Sequence, residues 1–203
     1  MLFRSLLLML GLVCLVTLSA LAAFDVKADY GAVGDGIAND TAAFQAAIDA
    51  CSAAGGGAVS LPAGKFLIAG HLSLPDNVAL VGVFAGPHAC SLHESAAEDA
   101  LNLKGSVLLV TEGAGHPDGT PFITLGNNAG LRGLTLFYPG QTKTNPPIAY
   151  PWTVRSLGWD TFLIDVFMVN PYQAVDFGSA YVGRHTVRSL YAGALYRGFF
   201  IDD

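Results

Sequence analysis

The chain has 203 residues, a formal net charge of −6, and 52% hydrophobic against 13% charged residues. That length supports one core-forming domain, and the acidic balance argues against nucleic acid and anionic membrane as partners. The five histidines never pair at i, i+4 and no Cys-x-x-Cys occurs, so neither a metal nor another cofactor is expected.

Residues 1–22 read as a secretory signal. Arg4 is the sole charge, Leu6 to Leu18 is apolar, and Ala20-Leu21-Ala22 offers small residues for cleavage. An uncleaved anchor is the alternative reading. Loss of Arg4 leaves nine basic against sixteen acidic residues, a net charge of −7. The expected location is outside the cytoplasm, extracellular or periplasmic, with no membrane association after cleavage. Cys51 and Cys90 remain in the mature chain, and export permits a disulfide between them without establishing it.

Asp40 is placed to N-cap a helix from Thr41 to about Ala53. Phe44, Ala47, Ile48 and Cys51 fall at i, i+3, i+4, i+7, which gives it one apolar face. Gly55-Gly56-Gly57 ends it. Asn39-Asp40-Thr41 also has the form of a glycosylation sequon, meaningful in a eukaryotic secretory pathway. Short β-like runs follow, cut by Gly, Pro, Asn and Asp: residues 58–61, 65–68, 78–81, 107–110, 122–125, 131–137, 162–169, 174–177, 186–191 and 198–202. One helix followed by many short strands predicts an all-β fold: sandwich, barrel or solenoid.

Spacing favours the solenoid. Ile164 and Val187 head similar runs 23 residues apart, while Val175 with Phe199 and Phe177 with Ile201 match at 24. A period in the low twenties is one turn of a parallel β-helix. Leu134 to Ile164 is 30, which fits one turn with a Pro-rich insertion. Thr-Val-Arg-Ser-Leu occurs at 153–157 and again at 186–190, but that lag disagrees with the lag between the neighbouring Phe-x-Ile-Asp segments, so it is not a repeat unit.

Residues 24–70 resemble the N-terminal segment of the pectate-lyase-like superfamily of rhamnogalacturonase, galacturonase and epimerase-like proteins. The resemblance rests on Tyr30 to Gly36, Asn39-Asp40-Thr41, Ala43, Ala46-Ala47, Gly55-Gly56-Gly57, Val59 and Leu61 to Phe66. It implies a right-handed, single-stranded parallel β-helix with an N-terminal capping α-helix, spanning residues 23–203. It also implies a polysaccharide partner, and a homotrimer is known among such folds. The capping role agrees with physics, because an open solenoid end exposes apolar side chains and strand edges. Asp35, among glycines, reads as a turn residue rather than a catalyst. The chain ends inside a strand-like run, which predicts a C-terminally truncated β-helix or a final rung that is exposed or covered by a partner.

A solenoid stacks residues one turn apart at about 4.8 Å, so outward polar residues on neighbouring rungs are the candidate catalysts. Alternation predicts Asp165, Asp176, Arg188 and Asp202 pointing outward, with Arg188 beside Asp165 and Phe200 one rung from Asp176. Asp203 and His185 complete the catalytic candidates. Hydrolysis of a glycosidic bond would draw two of the four aspartates into acid and base or nucleophile roles. Elimination from a uronate would use a base and a positive charge at the carboxylate, to which His185 and Arg188 could contribute. Trp152, Trp159, Tyr172, Tyr191 and Tyr196 are candidates for sugar binding. Each feature also has a plainer reading: a surface ion pair for Asp165 and Arg188, a solvent-facing strand residue for Asp176, ladder packing for the aromatics.

Of the galacturonase signatures the chain has a paired Asp, Asp202-Asp203, but no Asn-Thr-Asp and no Gly-His-Gly, and the epimerase pattern Asp-Pro-His-Glu and an acidic calcium cluster are absent. What the resemblance implies is a secreted protein acting on a pectin-like or other acidic polysaccharide by hydrolysis or β-elimination, with no specific enzyme assigned. The alternative is a non-catalytic glycan-binding, adhesive or structural β-helix.

Overall fold

The computed structural model describes residues 24–86, 103–141 and 146–202. The predicted signal, Cys90 and Asp203 lie outside the described residues. The elements are β1 (Phe24–Asp25), β2 (Asp35–Asn39), α1 (Thr41–Ala53), β3 (Gly57–Ser60), β4 (Gly64–Ile68), β5 (Leu72–Leu74), β6 (Val78–Val81) and β7 (Ser106–Val110). They continue with β8 (Ile123–Leu125), β9 (Gly130–Phe137), β10 (Trp152–Ser156), β11 (Phe162–Val169), β12 (Gln173–Asp176), β13 (Thr186–Ala192) and β14 (Arg197–Phe200).

All strand pairings among the described residues are parallel, and each strand pairs with the one a full turn away. Three faces result. The first stacks β1, β3, β6 and the leading halves of β9, β11 and β13. The second stacks β2, β4, β7 and the trailing halves of β9, β11 and β13. The third is a separate sheet in the order β14-β12-β10-β8-β5.

The interior is built from apolar ladders. Phe24, Val59, Leu80, Leu131, Leu163 and Val187 form one column on the first face. Phe66, Leu108, Leu136, Met168 and Ala192 form one on the second, and Leu72, Ile123, Val154, Val175 and Phe199 one on the third. A second apolar cluster lies apart from this core: Val107, Leu109, Phe137, Phe167 and Val169, packed against Leu67, Phe84 and Leu103.

Two corners turn the chain between faces. Gly56, Asn77, Asn128, Asp160 and Arg184 share one column, and all have positive φ, from 55° to 102°. Asn and Asp are the side chains that best tolerate this conformation. Their polar groups also link the rungs: Asn128 Nδ2 donates to Asn77 Oδ1 at 3.2 Å. Gly105, Gly133, Asp165 and Ser189 form the second corner, with φ from 51° to 78°.

That second corner corrects the expected register. Ile164 pairs with Arg188 rather than Val187, a step of 24 residues, and Leu134 pairs with Val166, a step of 32. The left-handed residue interrupts the alternation of β11, so Leu163 and Val166 face the interior. Ile164 faces outward, although only 8% exposed. The two Thr-Val-Arg-Ser-Leu segments lie on different faces, in β10 and β13.

Helix α1 buries Phe44, Ala47, Ile48 and Cys51 and packs against β1, β3 and β5. The side-chain amide of Gln45 donates to the carbonyl of Ser73 at 3.2 Å and accepts from its N–H at 3.1 Å. A helix side chain thus satisfies backbone groups on the edge strand β5, as a neighbouring strand would. Asp40 occupies the N-cap position but makes no side-chain cap bond. Its buried carboxylate accepts instead from the N–H groups of Val33, at 2.7 Å, and Gly34, at 3.1 Å. Asn39 Oδ1 takes the helix N–H of Thr41 at 3.1 Å. Asp35 is a turn residue, accepting from Ile37 and Ala38 N–H, both at 2.8 Å.

Candidate functional site

The outer side of the third face carries the most organised polar chemistry. Thr124, Arg155, Asp176 and Phe200 share one column on β8, β10, β12 and β14. Asp176 lies in the outward column expected for it, yet its side chain has no exposure. The reason is Arg155, whose Nε donates to Asp176 Oδ2 at 2.6 Å. Asp176 Oδ1 accepts from the N–H groups of Gly178, at 3.1 Å, and Ser179, at 2.8 Å. Burial pushes its carboxyl up, but the bonds from Ser179, Arg155 and Gly178 outweigh burial and hold it below the usual carboxylate range. Asp176 is therefore a fixed anion that anchors an arginine.

Arg155 retains 28% side-chain exposure, and among the described residues no hydrogen bond occupies its terminal nitrogens. A guanidinium held at Nε by a buried carboxylate is pre-organised for an anion at its outer edge. Nearby Trp152 is buried and stacks with Phe200, centroids 6.3 Å apart. At the margin of this face Tyr172 and Tyr196 stack at 4.9 Å, with the Arg197 guanidinium 5.0 Å from the Tyr196 centroid. Those rings are already packed on one another, as the plainer reading of the aromatics expected.

The remaining candidates are dispersed. Asp165 sits at the second corner with φ 53°, and its Oδ2 is 4.0 Å from Arg188 Nη2, both side chains well exposed. Such a pair contributes about 0–1 kcal/mol. Trp159 lies at the first corner, 5.2 Å from the Arg184 guanidinium and 5.6 Å from Tyr181. Arg184 makes a two-point ion pair with Asp160, at 2.7 and 2.6 Å. Tyr191 is exposed and continues the column of Val107, Thr135 and Phe167 on the second face. Asp202 is exposed, beside the turn at Gly178.

His185 precedes β13, in the column of Ala129 and Thr161. Its Nδ1 is 2.7 Å from Thr161 Oγ1, its ring stacks on Phe177 at 4.0 Å, and its buried Nε2 has no hydrogen-bond partner. Burial lowers its pKa and the Asp160 charge partly opposes this. The structure thus separates Asp165, Asp176, Asp202 and His185 onto different parts of the rungs. Arg155 is not among the residues to which the sequence points, because β10 follows a Pro-rich insertion that obscures it as a strand. The alternating Trp152-Thr153-Val154-Arg155 was the available signal.

No group of three metal-ligating side chains occurs among the described residues, and none of their helices is long and apolar enough to cross a membrane. The chain is similar to mannuronan C5-epimerase AlgE6 of Azotobacter vinelandii, 38% identical over 120 residues, covering 56% of this chain and 12% of that protein. It is similar to alginate lyase 7 of the same organism, 36% identical over 141 residues, covering 65% of this chain and 16% of that protein. The chain therefore spans under a fifth of the length of these relatives. A putative glycosyl hydrolase from Parabacteroides merdae shares the fold, with a TM-score of 0.54 at 18% identity over 85% of this chain and 76% of that one. The family model described as rhamnogalacturonase A/epimerase, pectate lyase-like, matches residues 23–128, just over half of the sequence. With its stacked parallel strands and its Tyr30–Phe66 segment, the chain belongs to the rhamnogalacturonase A/epimerase, pectate lyase-like family.

Proposed function

We propose that this is a secreted, right-handed parallel β-helix that acts on an acidic polysaccharide, with α1 as its N-terminal cap and the outer third face as its glycan-binding surface. Arg155, anchored by buried Asp176, carries the reading. Its outer edge, unbonded among the described residues, suits a uronate carboxylate, and both relatives bear names that place them on uronate polymers.

The same geometry discriminates between chemistries. Hydrolysis needs two carboxyl groups across the glycosidic bond. Asp176 is the only acid on the five strands of this face, and it is committed to Arg155. Elimination or epimerisation begins with removal of the proton beside the sugar carboxylate. A fixed cation at that carboxylate stabilises the negative charge that then develops. Arg155 fits this role, so proton abstraction at C5 of a uronate is favoured over hydrolysis. Non-catalytic glycan binding is the second reading, favoured by the absence of an untied acid on these five strands.

Titration of the chain with oligomannuronate tests the proposal. Arg155→Ala should weaken binding by about tenfold or more, as expected for loss of a charge-assisted bond. Asp176→Asn should weaken it less, because the guanidinium remains but is no longer fixed. Unchanged binding in Arg155→Ala would overturn the site. Unsaturated uronate or inverted C5 signals in the product spectrum would establish turnover, and binding without either would leave the glycan-binding reading.

A further inference from the structure

The first face offers a surface that this function does not use. Arg132, Ile164 and Arg188 occupy one outward column on β9, β11 and β13. The two arginines are exposed and stand two rungs apart, about 9.6 Å along the solenoid. Ile164 lies flush between them, only 8% exposed. In the adjacent column a Cβ on Gly130 would meet Phe162 Cδ2 at 2.5 Å, so the half-buried Phe162 ring lies over the glycine on the outside of the face. The result is a flat apolar floor with a cation at each end.

Pairing leaves both cations available. Arg132 has no ion pair among the described residues, and Arg188 has Asp165 at 4.0 Å with both side chains open to water. By contrast, Arg155 and Arg184 are each held by a carboxylate at 2.6 Å. The arrangement is also unusual for this chain: its net charge is −6, yet Arg132, Arg155, Arg184, Arg188 and Arg197 all fall in the last three rungs.

We infer that Phe162, Arg132 and Arg188 form a second binding surface for an acidic polysaccharide, distinct from the Arg155 face, on which one extended uronate strand lies along the solenoid axis. The inference rests on the acidic-polysaccharide reading above. The chemistry matches in two respects. The C–H face of a pyranose packs on an aromatic ring, which supplies the floor. In a β-1,4-linked strand successive rings are flipped, so carboxylates reach one side only at alternate sugars. Two arginines with an uncharged rung between them fit that alternation better than a ladder of cations on every rung. A phosphate backbone would favour a denser basic stripe and a less acidic protein.

The test is calorimetric titration of the 203-residue chain with oligomannuronate at several salt concentrations. Variants are Arg132→Ala/Arg188→Ala, the corresponding Lys pair, Phe162→Leu and Arg155→Ala, with polyglutamate as a polyanion lacking sugar rings. The double alanine variant should lose one class of sites or about tenfold in affinity, with a salt slope smaller by about two. The Lys pair should keep the slope but lose part of the affinity, since lysine lacks the bidentate fork. Phe162→Leu should weaken oligomannuronate and leave polyglutamate unchanged. Wild-type affinity and stoichiometry in the double variant, while Arg155→Ala is impaired, would overturn this inference and leave the proposed function standing. Equal losses for polyglutamate and oligomannuronate would reduce the surface to a charge patch and overturn the sugar assignment. Absence of oligomannuronate binding by the unaltered chain would overturn both.

Discussion

Asp40 and Asp176 show how a carboxylate's role depends on what surrounds it. Local pattern points to a helix cap for the first and, for the second, to an outward strand residue that is either a catalytic candidate or merely solvent-facing. Asp40 instead clamps the glycine-rich entry through Val33 and Gly34, while Asp176 is buried under Arg155. The partners that set these roles, Val33 and Gly34 for Asp40 and Arg155 for Asp176, lie too far along the chain to be read from local spacing. His185 carries a testable consequence. Its folded pKa is lowered, chiefly by burial, so the unfolded chain takes up its proton first as pH falls. The unfolded state then binds more protons, and the linkage lowers stability. Stability should be intact above about pH 6.5, the unperturbed histidine value, and fall below it. Thermal melts from pH 8 to pH 5 check this: His185→Gln should flatten the dependence, and an unchanged slope would show that other groups control it.

At the scale of elements, the corners decide more than the strands. Strands were legible where apolar residues alternate or run together, as in β6 and β11, whose bounds agree with the expected segments. β1, β2 and β5 are not, because two to five residues carry too few alternating positions, and β10, which does alternate, is obscured by the Pro-rich insertion before it. The left-handed corners were also hidden, since Asp165 and Ser189 are not glycines and look like ordinary strand residues. Gly133 in the same column has a further constraint: a Cβ there would meet the carbonyl oxygen of Gly82 at 2.5 Å. Gly133→Ala should therefore destabilise the fold by about 2 kcal/mol or more, combining positive-φ strain with displaced backbone. Ser189→Gly, in the same corner, should be neutral or stabilising. Chemical denaturation of the two variants measures the contrast, and a neutral Gly133→Ala would refute the role of the corner.

For the whole molecule, the two ends of the stack differ. At one end α1 buries its apolar face on β1, β3 and β5, and Gln45 pairs with β5. At the other, Val187, Phe199 and Ile201 are 41%, 48% and 71% exposed, beside His185 and Phe177. Exposed apolar groups on an edge rung promote association. A polypeptide of residues 23–203 should self-associate in a concentration-dependent way, and Phe199→Lys with Ile201→Lys should reduce this without lowering the melting temperature. Light scattering after size-exclusion chromatography tests it, and a monodisperse monomer at high concentration would contradict it. The amphipathic helix and the bounds of β6 and β11 are legible in the amino-acid order, because they follow from periodicity within short windows, and the solenoid class is legible through the resemblance of residues 24–70 to a known family. Which polar residues meet is set by how the rungs stack. Arg155 and Asp176 are 21 residues apart in sequence and adjacent in space, and a single left-handed residue in each corner shifts which side chains face out.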